Sequence, residues 1–233
     1  TTYTTTTSGN ITLTGNVDLD LAGGTTTLDT SSGNTNITVT GTIDDNAAGD
    51  TNLTLNAGTG NIDLQGNVGG TPVNAFTVSP TAAQVDLANV IADGAIAVTG
   101  TDIDLNGTTY TSQNGAVTFT GAVDLDNTGG TTTVTSGGGA GDDITFTSAV
   151  DDDGAGDTAL TLDAGASGNV DVQGNVGATT DPGAFTVSNA ATVDIQNVET
   201  TSGDIAVTGT NIELNSTTYT TTTSGNITLT GNV

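Results

Sequence analysis

Residues Ile11-Thr-Leu-Thr-Gly-Asn-Val17 return as Ile37-Thr-Val-Thr-Gly-Thr-Ile43, and again as Ile62-Asp-Leu-Gln-Gly-Asn-Val68. The starts of these strings lie 26 and then 25 residues apart. Within each string the apolar residues stand two apart, with Thr or Asp between them. Period two is the mark of a strand with one face buried and the other wet. Moving outward, the same spacing recurs at Val17/Leu19/Leu21, Leu53/Leu55, Phe76/Val78, Val85/Leu87, Ile96/Val98 and Ile103/Leu105. Between the pairs sit turn formers such as Ser8-Gly9-Asn10, Gly23-Gly24, Ser32-Gly33-Asn34 and Gly69-Gly70, which tolerate tight corners. Helical spacing is sustained nowhere. A strand pattern that recurs every 25 or so residues predicts an all-β chain folded as a parallel β-solenoid, with each recurrence one coil. The stretch from Val85 to Ala116 is less regular and fits either one long coil or one and a half.

A longer repeat is superimposed on the short one. Residues 1–17 and 217–233 are identical, and Thr-Thr-Tyr-Thr recurs at Thr108–Thr111. This divides the chain into a first unit, 1–107, a second, 108–216, and the start of a third, 217–233. Self-similarity at a fixed period signals a tandem array. The two units are expected to superpose, with Tyr3, Tyr110 and Tyr219 in one row. A unit of about 100 residues also suits a string of immunoglobulin-like sandwiches. Against that stand the count of about ten short strands per unit and the scarcity of aromatics: no Trp, four Phe and three Tyr.

The charge balance narrows the function classes. There are 26 acidic residues and no Lys, Arg or His, for a net charge of −26. No side chain is available to clamp a phosphate, and nucleic acid is disfavoured as a partner because binding it depends on basic groups. Anionic membrane surfaces repel the chain, and no apolar run reaches the length of a membrane span. With neither His nor Cys, the commonest general base, the thiol nucleophile and soft metal sites are missing.

Hard metals are another matter. The loop Asp44-Asp45-Asn46-Ala-Ala-Gly-Asp50 returns as Asp151-Asp152-Asp153-Gly-Ala-Gly-Asp157. Oxygen ligands around a Gly-bearing turn are what Ca²⁺ prefers, so Asp44, Asp45, Asn46, Asp50, Asp151, Asp152, Asp153 and Asp157 are candidate ligands. The bidentate Glu of an EF-hand is absent, and the alternative is a solvated acidic turn whose Asp and Asn accept backbone hydrogen bonds. Pairs such as Asp18/Asp20, Asp102/Asp104 and Asp124/Asp126 resemble glycosidase carboxylates in spacing. They recur from unit to unit, however, which favours a structural role. Thr-x-Thr pairs at Thr12/Thr14, Thr38/Thr40, Thr118/Thr120 and Thr145/Thr147 would form a hydroxyl array if they shared a face, as in ice-binding solenoids. They also suit strands by propensity alone. The Asn-x-Thr triplets at Asn10, Asn36, Asn52 and Asn226 read as Asn corners followed by strand Thr.

Strings such as GNITLTGNVDL, AGDTNLTLNAGTGNIDLQGNV and AIAVTGTDIDLNGTTYT resemble the β-strand repeats of giant bacterial surface exoproteins, the filamentous-haemagglutinin-like and adhesin-like proteins. The resemblance covers essentially the whole chain. It implies an extracellular β-rich rod with a structural or adhesive role. From the residues themselves, none is expected to be catalytic. The expected partners are further repeats of the same kind, by self-association or by continuation of the array, and an unspecified cell-surface or glycan partner. Ca²⁺ is the one cofactor the sequence suggests.

Overall fold

The recurrence of Ile11, Ile37 and Ile62 along the chain is a recurrence in space. Ile11 pairs with Ile37, and Ile37 with Ile62, on parallel strands of successive coils. The computed structural model describes residues 1–233 apart from the side chain of Thr81. It contains twenty-five strands and no helix. Every pairing between strands is parallel, so the chain is a β-solenoid of about ten coils and not a string of antiparallel sandwiches.

Each coil supplies three strand segments, which stack into three faces. Face A carries the inward column Ile11, Ile37, Ile62, Val85, Ile103, Val123 and Val150, continued through Val176 and Val198 to Tyr219. Face B begins with Val17 on Ile43 and Ile43 on Val68, then runs through Val90, Tyr110, Val134, Leu162 and Val187. Face C stacks Tyr3, Leu28, Leu55, Val78, Val98, Phe119, Phe146, Val172 and Ile195. The inward residues meet in one continuous apolar core. All four Phe are fully buried, and Phe119 stacks on Phe146 with ring centroids 5.1 Å apart. Four long strands, Phe76–Leu87, Ile96–Leu105, Val117–Leu125 and Ile205–Leu214, each turn a corner and serve two faces. The irregular stretch after Val85 is therefore a run of short coils. The coil from Val85 to Ile103 takes 18 residues, whereas that from Val123 to Val150 takes 27.

Corners repeat as faithfully as strands. Asn10 Oδ1 accepts the backbone N–H of Asn36, and Asn36 Oδ1 accepts that of Asn61, at 3.1 and 3.0 Å. Each Asn corner thus pairs a backbone donor of the coil above it and ties successive coils together at the exposed edge of the stack. Gly15, Gly41 and Gly66 form a second corner stack. A Cβ on Gly41 would fall 2.2 Å from the carbonyl carbon of Gly15.

The expected single row of tyrosines is not found. Tyr3 lies on face C over Leu28, Tyr110 on face B between Val90 and Val134, and Tyr219 on face A against Val198. The reason is numerical. Each unit holds fourteen strand segments, counting the corner-turning strands twice and the Val176 bridge once. At three segments per coil, fourteen make four and two-thirds coils. Equivalent residues of the next unit therefore arrive one face away, rotated by a third of a turn. The first-unit strand Thr25–Asp29 stacks on face C, and its counterpart Thr131–Thr135 stacks on face B. The count of about ten strands per unit fell short because segments such as these hold a single aliphatic residue, Leu28 or Val134, in a run of Thr.

Candidate functional site

Rotation by one face has a chemical consequence. On face A the outward residue between the two inward ones is Asp63, then Asp86, Asp104, Asp124 and Asp151 on five successive coils. The first three belong to the first unit and the last two to the second. Asp124 and Asp151 are the counterparts of Asp18 and Asp44, which lie on face B. Without the rotation the two acidic runs would stand on different faces. With it they join into one ladder across the repeat junction, its rungs about 4.8 Å apart as strand spacing dictates.

Like charges at that spacing, partly withdrawn from water, hold on to protons. Asp86 is pushed up to about 7, chiefly by burial, then by hydrogen bonding to Asp104 and by the charges of Asp104, Asp63 and Asp102. Asp124 is pushed up to about 6, again chiefly by burial, then by the charges of Asp102, Asp104 and Asp151. Gln84 Nε2 donates to Asp104 Oδ2 at 2.7 Å, and Gln65 Nε2 to Asp63 Oδ2 at 2.8 Å. Among the described residues one set of three carboxylates brings oxygens within 4.8 Å of one another: Asp102, Asp104 and Asp124. These are near enough to share protons or a cation. The sequence showed the pairs Asp102/Asp104 and Asp124/Asp126 but not that they meet, because that follows from the lengths of the intervening coils.

Most of the loop residues proposed as calcium ligands turn toward backbone donors. Asp44 Oδ1 accepts the N–H of Thr71, and its Oδ2 accepts the Thr42 hydroxyl. Asp45 points inward, opposite Leu19, and its Oδ2 accepts the N–H groups of Asp50 and Thr51 at 2.9 and 2.7 Å. Asn46 Nδ2 donates to Asp20 Oδ1 at 3.0 Å, and Asp50 Oδ1 accepts the N–H of Gly23. In the second unit Asp151 Oδ1 accepts from Thr179 and Thr180, and Asp152 Oδ2 from Asp157 and Thr158. Asp157 sits across the loop, and its charge acts on Asp152. Asp153 is exposed. The loops are thus closed by their own carboxylates.

No family model, curated protein or solved structure matches the chain. What the site can do rests on its own geometry.

The hydroxyls are ordered too. Face C stacks Thr27, Thr54, Thr77, Ala97, Thr118 and Thr145 on six successive coils, all outward. Thr99 and Thr120 pair beside them. The sequence spacing of these residues is irregular because corner lengths vary, but the strand register is not. The Asn corners read from the Asn-x-Thr triplets are realised at Asn10 and Asn36.

Proposed function

We propose that the chain is a non-catalytic spacer segment of an extracellular bacterial surface fibre, a stiff rod that sets length and presents surface. The observation that carries this reading is the unbroken stack across the repeat junction. The strand Ile96–Leu105 of the first unit pairs with Val117–Leu125 of the second over eight residue pairs, with the core continuous beneath. A hinge between units would need a gap there. About ten coils at a strand spacing of about 4.8 Å make a rod on the order of 50 Å long. The anionic surface supports the reading as well, since like charge discourages exposed sheet edges from pairing sideways.

Self-association, or continuation of the array, is part of the proposal. The return of the same pattern at 1–107, 108–216 and 217–233 supports it. Two measurements test the proposal. Adding one 107–109-residue unit should lengthen the particle by about 22 Å in small-angle scattering at constant cross-section. An antibody against the chain should label the surface of intact producing cells. A flexible chain of beads, or label found only after lysis, would sink it.

A second reading, an ice-binding surface, is favoured by the threonine stack on face C. It requires freezing hysteresis that is lost on Thr118→Tyr. Absence of hysteresis in the unaltered protein removes it.

A further inference from the structure

The dipeptide Asn-Gly occurs twice in the chain, at Asn106-Gly107 and Asn114-Gly115. Asparagine is a chemically labile residue, and a following glycine makes it more so. Without a Cβ, the glycine leaves its own nitrogen unshielded. That nitrogen can attack the side-chain amide carbon of the asparagine and close a succinimide ring. The attack runs through the deprotonated nitrogen, so a glycine N–H held in a hydrogen bond resists it.

Both asparagines are exposed to water. Hydrogen bonding of the glycine tells them apart. The N–H of Gly107 donates to the Tyr110 hydroxyl at 2.9 Å, inside the rod. Among the described residues no hydrogen bond engages the N–H of Gly115. Asn114 stands at the corner between the strands Thr109–Ser112 and Val117–Leu125, above Asp93 of the preceding coil. Its Nδ2 donates to Asp93 Oδ1 at 2.9 Å. The corners that follow Tyr3 and Tyr219 both read Thr-Thr-Thr-Thr-Ser-Gly-Asn, at 4–10 and 220–226, with no Asn-Gly. The labile pair is therefore peculiar to the opening of the second unit.

We propose that Asn114 is a site of spontaneous backbone modification, deamidating through a succinimide with Gly115, and that Asn106 is shielded from the same reaction by Tyr110. The Gly115 nitrogen gives its proton to solvent and bonds to Asn114 Cγ. The Cγ–Nδ2 bond breaks, and Nδ2 takes up a solvent proton and leaves as ammonia. Water then opens the ring at either carbonyl, giving aspartyl or isoaspartyl. One water enters and one ammonia departs. The bond from Asn114 to Asp93 must break for the side chain to turn toward Gly115, so the folded chain reacts more slowly than a free peptide. Afterwards the donor to Asp93 is a carboxylate, and a hydrogen bond between coils has become a repulsion. The isoaspartyl form also adds a carbon to the main chain at that corner. Both changes loosen the coil where the second unit begins.

The test is to hold the whole chain in mildly alkaline ¹⁸O water and follow label uptake by mass spectrometry. Chymotrypsin, cutting after Tyr110, places the two asparagines in different fragments, and electron-transfer fragmentation identifies isoaspartyl. Label should enter at Asn114 about tenfold or more faster than at Asn106. Synthetic peptides 103–109 and 111–117, freed of the fold, should react alike. Tyr110→Phe, if folded by circular dichroism, should speed Asn106 about tenfold. If it is unfolded, both sites should react at the peptide rates. Asn114→Gln should abolish uptake in the second fragment. Uptake at Asn114 no faster than at Asn106 in the unaltered chain, or an unchanged Asn106 rate in folded Tyr110→Phe, would overturn the proposal.

Discussion

Asp104 and Asp124 are strand partners, although one stands near the close of the first repeat and the other near the opening of the second. Their meeting is a product of the repeat length. Had the unit held twelve or fifteen segments, Asp124 would follow Asp18 on face B, and Asp104 would have a threonine above it. Because it holds fourteen, the acid-rich end of one unit runs into the acid-rich start of the next.

The ladder makes stability depend on pH in a direction opposite to ordinary acid denaturation. Asp86 is raised from 3.8 to about 7 in the folded chain. A carboxyl with a raised folded value binds more protons folded than unfolded between those limits. Its stabilising contribution is therefore full below about pH 4 and is lost as pH rises through about 7. Thermal melting in EDTA should shift upward as pH falls from 8 to 5. Asp86→Asn should raise the melting temperature at pH 8 and flatten that slope. The effect is of the order of 1 kcal/mol, since solvent screens a half-buried group. Glu199→Gln is the control, because Glu199 pairs with Thr220 and has no acid on that neighbouring strand. A melting temperature that is level or falls across this range would show that the ladder is not protonated.

The fold was legible because the core is simple. Ile11, Ile37 and Ile62 announce their stacking by spacing, and the Thr between them announces the wet face. The site was less so. Alternation after Ile43 and Val150 turns Asp45 and Asp152 inward, but an Asp at a core position runs against its usual exposure, and the two backbone N–H groups that make it tolerable come from the loop beyond and carry no sequence signal. The ladder depends on which coil is short, and corner length is set by residues such as Gly100 and Gly121 that carry no periodic signal. The rotation needed a correct segment count, and the Thr-rich segment around Leu28, with its counterpart around Val134, hid one of the fourteen in each unit.

Tyr110 and Tyr3 are equivalent in sequence but not in energy. Tyr110 is fully buried on face B. Its hydroxyl donates to the Leu87 carbonyl at 2.8 Å and accepts the N–H of Gly107 at 2.9 Å. Tyr110→Phe leaves the Gly107 N–H unpaired inside the rod, while the Leu87 carbonyl keeps the N–H of Asn106, and should cost about 1–3 kcal/mol in denaturant unfolding. Tyr3 is 58 % exposed, and Tyr3→Phe should change stability by less than about 0.5 kcal/mol. Equal losses at the two positions would contradict the assigned environments.

Gly41 is required by close approach of backbones. An added Cβ would lie 2.2 Å from the Gly15 carbonyl carbon, and main chain held by strands on both sides cannot give way. Gly41→Ala should cost about 1–3 kcal/mol, the usual range for overpacking. At Gly9 the nearest atoms are the Thr5 side chain at 3.6 Å, an ordinary contact. Gly9→Ala should stay within about 0.5 kcal/mol. The two melting curves, measured side by side, decide whether the corner stack constrains the coil as described.

The rotation predicts the symmetry of a longer rod. If each unit advances four and two-thirds coils, a given side chain returns to the same face only after three units and fourteen coils. At a strand spacing of about 4.8 Å that is an axial repeat of about 67 Å. A rod in which every unit presented one face would instead repeat at about 22 Å. A chain of six concatenated units, each bearing one cysteine at the position of Thr133 and a gold label, separates the two in electron micrographs. Labels should appear on three sides in turn, with same-side labels about 67 Å apart. The acidic ladders turn with the units, so a partner that reads them would meet the rod from three directions. Labels in a single line would show that adjoining units gain or lose a segment, and that the phase seen between Tyr3, Tyr110 and Tyr219 does not propagate.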